Sequence, residues 1–318
     1  MRYNVVIIGA GNIASGYDDI LSPRILTHAH ALKTLAFFNF LGFYDIDERR
    51  AEAAAQKWGV EKIDSLENIQ KEIDIICCAA PDEFHYEILK KVSVFSSLKA
   101  VICEKPITRK TYQAKELVKL YKEKNIPLFV NYTRRFLGEF TELKHWISRA
   151  GSLIVGNCYY GKGVFHNCSH MINILEYILA DLELLSTDFM LYDFFEEDPS
   201  INFVLKNESS KIYFHPIDCN IATVFEFDLF FENGRVRYSD HEGSIDYYQI
   251  KKSSVYSGEL NYLLDRRIKI KWDLALLNLY KNVYDAICNQ SEVCSDGEEA
   301  YKTISLCEKI TKKVTEKK

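Results

Sequence analysis

The architecture the sequence predicts has two parts: an α/β domain with a doubly wound parallel sheet, then an α+β domain with a large, mainly antiparallel open sheet. Three observations predict it. The chain has 318 residues, more than one hydrophobic core usually serves, since single cores stop growing near roughly 250 residues. Buried-strand patterns alternate with helical ones from Tyr3 to Val130, which is the mark of βαβ units. Beyond about Asn131 the alternation stops, and strand-like stretches succeed one another with few helices between them, as in antiparallel sheets. The expected division is residues 1–130 and residues 131–318.

Tyr3 to Ile8 is apolar apart from Asn4 and runs into Gly9-Ala10-Gly11-Asn12-Ile13-Ala14, a buried strand followed by a glycine turn. Phe40 to Tyr44 is a second strand that ends at Asp45, and Glu48 to Trp58 has helical composition. Ile73 to Ala80 is another buried strand, closed by Pro81, with a helix from His85 to Val92. The cycle repeats with Ala100 to Cys103, a turn at Pro106, a helix from Lys110 to Lys124 and a strand from Pro127 to Val130. In the second part, Phe136 to Arg149 and Met171 to Leu179 read as amphipathic helices. Ser200 to Leu205, Lys211 to Phe214, Thr223 to Phe231, Arg235 to Tyr238 and Ile245 to Ile250 read as strands. Asn233-Gly234 between two of these predicts a type I′ hairpin turn, because both central residues need positive φ. Trp272 to Asn289 and Gly297 to Val314 close the chain as helices. No internal repeat or Pro/Gly/Ser-rich linker interrupts it, so closely packed domains are expected.

Hydrophobic residues make up 47% and charged residues 27%, the balance of a packed protein rather than a disordered one. The net charge of -5 carries no sustained basic block, which argues against nucleic acid as a partner; the KKVTEKK tail reads as a solvated helix end. No apolar run reaches the ~20 residues of a bilayer span. Met1 leads directly into a strand pattern without a signal-peptide core, so a cytoplasmic protein is expected. The nine cysteines include no C-x-x-C pair. Cys77, Cys78 and Cys103 fall in apolar strands, where thiols behave as small buried hydrophobes, and no metal site is expected.

Gly9 and Gly11 stand where a strand turns into a helix and the backbone must approach a pyrophosphate, and Ala14 permits close helix packing. Backbone N–H groups there, with Asn12 and Ile13, would hold the phosphates. This is the dinucleotide turn of a Rossmann domain, although G-x-G-x-x-A alone is also an ordinary turn. Asp45, ending the second strand, is placed for ribose hydroxyls; a carboxylate disfavours a 2′-phosphate, so NAD is preferred and NADP stays open. The alternative role for Asp45 is a helix N-cap. Its distance from Gly11 exceeds the usual ~20 residues, which implies an insertion around Ser15 to Thr27.

Glu104-Lys105-Pro106 follows an apolar strand, at the carboxyl edge where open α/β sheets bind ligands. With GAGNIA, Asp45, Ala80-Pro81 followed by His85, Asn131 to Phe136 with Arg134 and Arg135, and Ser295-Asp296-Gly297-Glu298, the chain resembles the Gfo/Idh/MocA family of NAD(P)-dependent oxidoreductases. The resemblance implies a cofactor site of Gly9, Gly11, Asn12, Ile13, Asp45, Ala80, Pro81, His85, Glu104 and Lys105. It also implies that His28 or His30 lines the cleft near the nicotinamide.

The family's second domain carries a D-x-G-x-H-x-x-D segment supplying a catalytic Asp and His. In the matching stretch His170 takes the histidine's place, while His166, Cys168 and Asn173 stand where the family has Asp, a small residue and Asp. His166 and His170 share a face if one helix contains both. An imidazole suits proton abstraction from an alcohol, and a lysine suits the charge developing on its oxygen. His170 is therefore the expected general base, Lys105 the polarising residue, and His166 a substrate ligand or second proton carrier. A metal site is the competing reading of the histidine pair, but apart from Cys168 no ligand accompanies it.

Tyr160, Lys162, Asn167, Asn173 and Arg135 are candidate substrate contacts. For Arg135 a salt bridge is an equal alternative, and for Lys162 plain solvation is favoured over a contact to a phosphate or carboxylate of the substrate. The implied function is hydride transfer between NAD(P) and a hydroxyl or keto carbon of a sugar, cyclitol or nucleotide-linked sugar. The alternatives are a non-catalytic NAD(P)-binding regulatory protein of the same fold and a linear-tetrapyrrole reductase, which the polar histidine segment disfavours. The open sheet should be covered in a homodimer or homotetramer.

Overall fold

A computed structural model describes residues 2–208 and 210–316; Met1 and the last two residues of the basic tail lie outside the described residues. The chain divides into two compact units. The first comprises residues 1–136 and 271–304, the second residues 137–270 and 305–318.

The first unit is built on β1 (Tyr3–Ile8), α1 (His28–Thr34), β2 (Phe38–Tyr44), α2 (Glu48–Trp58), β3 (Glu61–Lys62), α3 (Leu66–Ile69), β4 (Ile75–Cys78), α4 (His85–Val92), β5 (Ala100–Glu104), α5 (Thr111–Glu123) and β6 (Leu128–Asn131). Its six strands are ordered β3-β2-β1-β4-β5-β6 and every pair is parallel. Continuous Val/Ile/Cys runs in β1, β4 and β5 are buried on both faces, as a sheet covered on each side by helices requires. Register aligns the strand ends: Ile8 pairs with Cys78, Cys78 with Cys103 and Glu104 with Asn131. The segments that follow β1, β4 and β5 therefore emerge along one carboxyl edge.

The second unit contains α6 (Gly138–Ile147), β7 (Leu153–Tyr160), α7 (Ser169–Leu179), β8 (Glu183–Phe195), β9 (Asp198–Asn207), β10 (Ser210–Pro216), β11 (Phe225–Phe231), β12 (Gly234–Ser239), β13 (Ser244–Lys252) and β14 (Leu260–Lys269). Its eight-stranded sheet runs β14-β13-β12-β11-β7-β10-β9-β8. Only β7 and β10 pair in parallel; the other neighbours are antiparallel. Strict alternation in β11 buries Phe225, Phe227, Leu229 and Phe231, the half-buried pattern of a sheet with one covered face.

The chain continues through a 3-10 turn at Trp272–Leu274 into α8 (Ala275–Ile287) and ends in α9 (Gly297–Thr315). α9 belongs to the first unit up to Ile304 and to the second from Ser305. The expected single cut after residue 130 thus gives way to a division in which residues 271–304 return to the first unit. Specific bonds bring them back. Val130 N donates to Ser295 O at 3.0 Å, Ser295 Oγ donates to Val130 O at 2.8 Å, and Asn278 Nδ2 donates to Phe136 O at 2.8 Å.

Three local expectations are corrected. The long helix expected over Phe136 to Arg149 is a 3-10 turn at Thr133–Phe136 followed by α6. The β11–β12 hairpin exists, but Phe231 pairs with Gly234, so the turn residues are Glu232 and Asn233 and none of the three has positive φ. Their N–H groups donate to Ser152 O and Ala150 O instead. Gly234 is needed for space: a Cβ there would lie 2.8 Å from the Trp146 ring and 2.9 Å from Tyr248 O. The strand patterns also passed over β8 and β14, the two edge strands.

Candidate functional site

The turn after β1 distinguishes its two glycines. Gly9 has φ +94, and a Cβ on it would stand 2.6 Å from Ala80 N and 2.7 Å from the Ala79 carbonyl. The chain itself therefore demands glycine there. A Cβ on Gly11 would meet nothing within 4 Å, at an ordinary φ of -74. No packing in the chain requires glycine at Gly11, so it leaves an open cradle beside the backbone N–H groups of the turn. Residues Asn12–Gly16 form a single π-helical turn, Gly11 and Asn12 are exposed, and α1 does not start until His28.

Asp45 lies beside this turn. Its Oδ2 accepts from Ala10 N at 2.8 Å and its Oδ1 from Asp47 N at 2.9 Å. Capping of α2 falls to Asp47, whose Oδ1 accepts from Arg49 N and Arg50 N. The N-cap alternative for Asp45 is excluded, and its carboxylate stays at the mouth of the glycine turn.

The expected insertion around Ser15 to Thr27 is tied down by the buried Asp18. This carboxylate accepts from Leu26 N at 2.6 Å and Thr27 Oγ1 at 2.5 Å, and pairs with His30 Nδ1 at 2.8 Å. Thr27 caps α1 through His30 N. His30 is thereby occupied in the insertion, its ring 5.6 Å from that of Trp58.

His28 reaches the carboxyl edge instead. Its Nε2 is 2.8 Å from Glu104 Oε1 and its Nδ1 is 3.1 Å from the Tyr280 hydroxyl on α8; Asn131 Nδ2 also donates to Glu104 Oε1 at 2.7 Å. Burial works against the imidazolium, but the Cys77 sulfur and the Glu104 carboxylate prevail and hold its pKa up to about 10. Burial likewise opposes the Glu104 carboxylate, yet His28, Asn131 and neighbouring Lys105 keep its pKa below the ordinary value. Glu104 is thus an anion inside a buried pair, and Lys105, half-buried beside it, opens the cis bond to Pro106.

His85, expected to contact the cofactor, is wholly buried. Its Nε2 is 2.9 Å from Ala80 O and its Nδ1 2.9 Å from Pro106 O. It braces the loops after β4 and β5, leaving Ala80 and Pro81 as the more exposed residues there. Cys78, Cys103 and His85 gather around this point, all buried. A hydrogen bond from the Cys103 thiol, opposed by burial and aided by His85, brings the Cys78 pKa down to about 7.

Arg135 resolves to its salt-bridge alternative. Its guanidinium donates to Cys294 O at 2.6 Å and Glu299 Oε1 at 2.7 Å, and the residue is buried. Asp296 and Glu299 form a reciprocal capping box at the start of α9, as the S/T/D-x-x-E pattern leads one to expect. Arg134 lies over the Trp272 ring.

In the second unit the histidine segment forms a π-helical turn at Gly163–Cys168, and α7 begins only at Ser169. His166 therefore lies in the π-helical turn that runs directly into the α-helix carrying His170. The segment is held through its backbone. Lys162 N donates to Asp193 Oδ2, Gly163 N to Ser200 Oγ, and Phe165 N and His166 N to the two carboxylate oxygens of Asp198. These bonds satisfy N–H groups that the start of a helix otherwise leaves unpaired. The His166 ring is exposed and packs at 5.6 Å and 5.1 Å from those of Phe194 and Phe195. Lys162, at φ +64, carries its ammonium 5.5 Å from the Phe194 ring.

Tyr160 is corrected to a structural residue. It is 0% exposed, and its hydroxyl donates to Ile201 O at 2.7 Å and accepts from Ile201 N at 2.8 Å. Asn167 Nδ2 bonds Gly161 O, Asn173 is buried in α7, and His170 is half-buried in its first turn. No local pattern marks Asp193, Ser200, Asp198 or the His28–Glu104 pair, because each bond joins residues well separated along the chain.

Residues 3–132 match an oxidoreductase family described by its NAD-binding Rossmann fold. An uncharacterised oxidoreductase of Schizosaccharomyces pombe is 32% identical over 136 residues, 40% of this chain and 36% of that protein. The inositol 2-dehydrogenase of Mycolicibacterium smegmatis is 29% identical over 169 residues, 52% of this chain and 44% of that one. The chain spans less than half the length of these curated relatives in the matched regions. A levoglucosan dehydrogenase solved with NADH has the same fold, with TM-score 0.81 at 14% identity, covering 99% of this chain and 98% of that one. Among the described residues no helix is long and apolar enough to cross a membrane. Over residues 3–132 the chain is thus similar to the Gfo/Idh/MocA oxidoreductases, and over its whole length it shares their fold.

Proposed function

We propose that the chain is a dehydrogenase using a nicotinamide dinucleotide, NAD in preference to NADP, on a hydroxyl or keto carbon of a sugar, cyclitol or nucleotide-linked sugar. The observation that carries this reading is the turn after β1, where Gly11 leaves space that the chain does not use and the Asp45 carboxylate stands at 2.8 Å from Ala10 N. Backbone N–H groups of the turn suit a pyrophosphate, and a carboxylate suits ribose hydroxyls better than a 2′-phosphate. The names of the relatives, inositol 2-dehydrogenase and levoglucosan dehydrogenase, support the substrate class.

When bound, the dinucleotide supplies the hydride acceptor. Lys105 donates a hydrogen bond to the reacting oxygen and stabilises the negative charge that develops there. His170 accepts the hydroxyl proton, and His166, Lys162, Asn167 and Asn173 order the substrate or relay the proton. Glu104, held ionised in its pair with His28, stands next to Lys105 in the chain at the end of β5. Association of two or four copies through the open sheet completes the reading, and sedimentation velocity of the purified chain checks it.

One observation favours a second reading, a dinucleotide-binding regulator without turnover. His166 replaces the family's aspartate, and its ring packs against those of Phe194 and Phe195, tilted on the first and edge-on to the second. Calorimetric titration with NAD+ and NADP+, followed by an assay of NAD+ reduction over free and nucleotide-linked sugars and cyclitols, decides between them. Tighter NAD+ binding with turnover on a panel member is expected. Tighter NADP+ binding removes the role given to Asp45, and binding with silence across the panel moves the chain to the regulatory reading.

A further inference from the structure

One cluster beneath the carboxyl edge has no part in hydride transfer. Cys78 ends β4, Cys103 lies in β5 and His85 opens α4, each with 0% exposure. Cys78 and Cys103 are paired residues of neighbouring parallel strands, so their side chains leave the sheet on one face. The two sulfurs and a ring nitrogen of His85 all lie within 4.8 Å of one another, with Cys103 Sγ 3.4 Å from Nδ1. Ligands of a tetrahedral ion, at about 2.3 Å for sulfur and about 2.0 Å for nitrogen, stand roughly 3.5 Å apart.

We propose that Cys78, Cys103 and His85 bind one soft d10 cation, Zn2+ or Cu+, under the loops that follow β4 and β5. Thiolate and imidazole ligands select such ions over hard ones. Two thiolates neutralise a divalent ion, which removes the cost of a bare buried charge. The ring is already oriented: Nε2 faces Ala80 O at 2.9 Å, the outer bond that fixes a ligating histidine with Nδ1 toward the metal. On binding, both thiol protons and the Nδ1 proton leave to solvent, and Nδ1 exchanges its 2.9 Å bond to Pro106 O for the ion. Three ligands suffice for Cu+. Bound here, the ion would tie β4, β5 and α4 together at one point.

The test is the metal content of the purified full-length chain from zinc-supplemented cultures, with titration of the stripped chain by Cu+ and by Co2+. One ion per chain is expected, with a thiolate-to-cobalt absorption band. Cys78→Ala and Cys103→Ala should each weaken affinity tenfold or more while the far-UV spectrum stays that of the wild type. Should the variants not fold, the wild type decides alone: unfolding in the presence of a chelator must occur at lower temperature than in its absence. Substoichiometric zinc together with no Cu+ uptake overturns the proposal. So does equal binding by wild type and both variants, or a Cys78–Cys103 disulfide found by mass spectrometry in the purified chain. None of these readouts depends on dinucleotide binding, so the site can fail while the oxidoreductase reading stands.

Discussion

The carboxyl edge of the parallel sheet and the histidine segment of the antiparallel one are fixed by opposite means. At the edge, buried side chains are the braces: His28 holds Glu104, and His85 spans Ala80 O and Pro106 O. In the histidine segment the backbone is the part that is held. Four consecutive or near-consecutive N–H groups go to Asp193, Ser200 and Asp198 on β8 and β9, while the His166 side chain is left exposed. The difference teaches where each half tolerates change. Altering a brace at the edge leaves a charge or donor buried without its partner, whereas the exposed His166 side chain can be replaced with little loss of stability so long as the capturing carboxylates remain.

The comparison breaks most sharply on activity. Lys105→Ala and His170→Ala should each lower turnover on the active sugar or cyclitol by about 10²- to 10⁴-fold with NAD+ binding retained; near-normal rates in either would remove its assigned role. His28→Asn comes next, since it leaves Glu104 as a buried charge without its partner, at about 3–5 kcal/mol of stability. This variant also carries a pH signature. Folded His28 keeps its proton up to about 10, against an ordinary value of 6.5, so its contribution is complete below pH 6.5 and is lost as pH rises toward 10. Denaturant titrations should show the wild-type advantage over His28→Asn shrinking across that window, and a constant gap would refute the ion pair.

Gly9→Ala is expected to cost about 2–4 kcal/mol through positive φ and overlap with Ala79–Ala80. Gly11→Ala should change stability by less than about 0.5 kcal/mol and instead weaken dinucleotide binding. A similar thermal shift for both variants would show that Gly11 serves packing. In the second unit, Asp198→Ala frees two charge-assisted bonds and should cost about 2–3 kcal/mol by chemical denaturation. Tyr160→Phe is expected to cost less than Asp198→Ala, at about 1 kcal/mol with KM unchanged; a raised KM would return Tyr160 to the substrate site.

Much of the parallel half was legible because its signals are local. Buried strands announce themselves as apolar runs in β1, β4 and β5, and the glycine turn and Asp45 sit at their ends. The edge strands were not legible. β14 is exposed along most of its length and has no apolar–polar alternation to read, and β8 has three register shifts that break its period. Their assignment depends on pairing with β13 and β9, which no local pattern encodes. Asn233-Gly234 marked a real hairpin, but contacts with Ser152, Ala150 and Trp146 chose a different turn from the one its dipeptide favours.

What the sequence by itself determined is the alternation that builds the parallel sheet, the glycine turn at its first strand and the lysine that follows β5, because hydrophobic periodicity and turn chemistry act over a few residues. Only the tertiary structure decided that Arg135 is a strut rather than a ligand, that Tyr160 lies in the core, that His85 braces two loops, and that Cys78, Cys103 and His85 converge. These roles depend on which distant groups meet once the strands are in register, and burial then makes each unpaired polar atom costly enough to fix its partner.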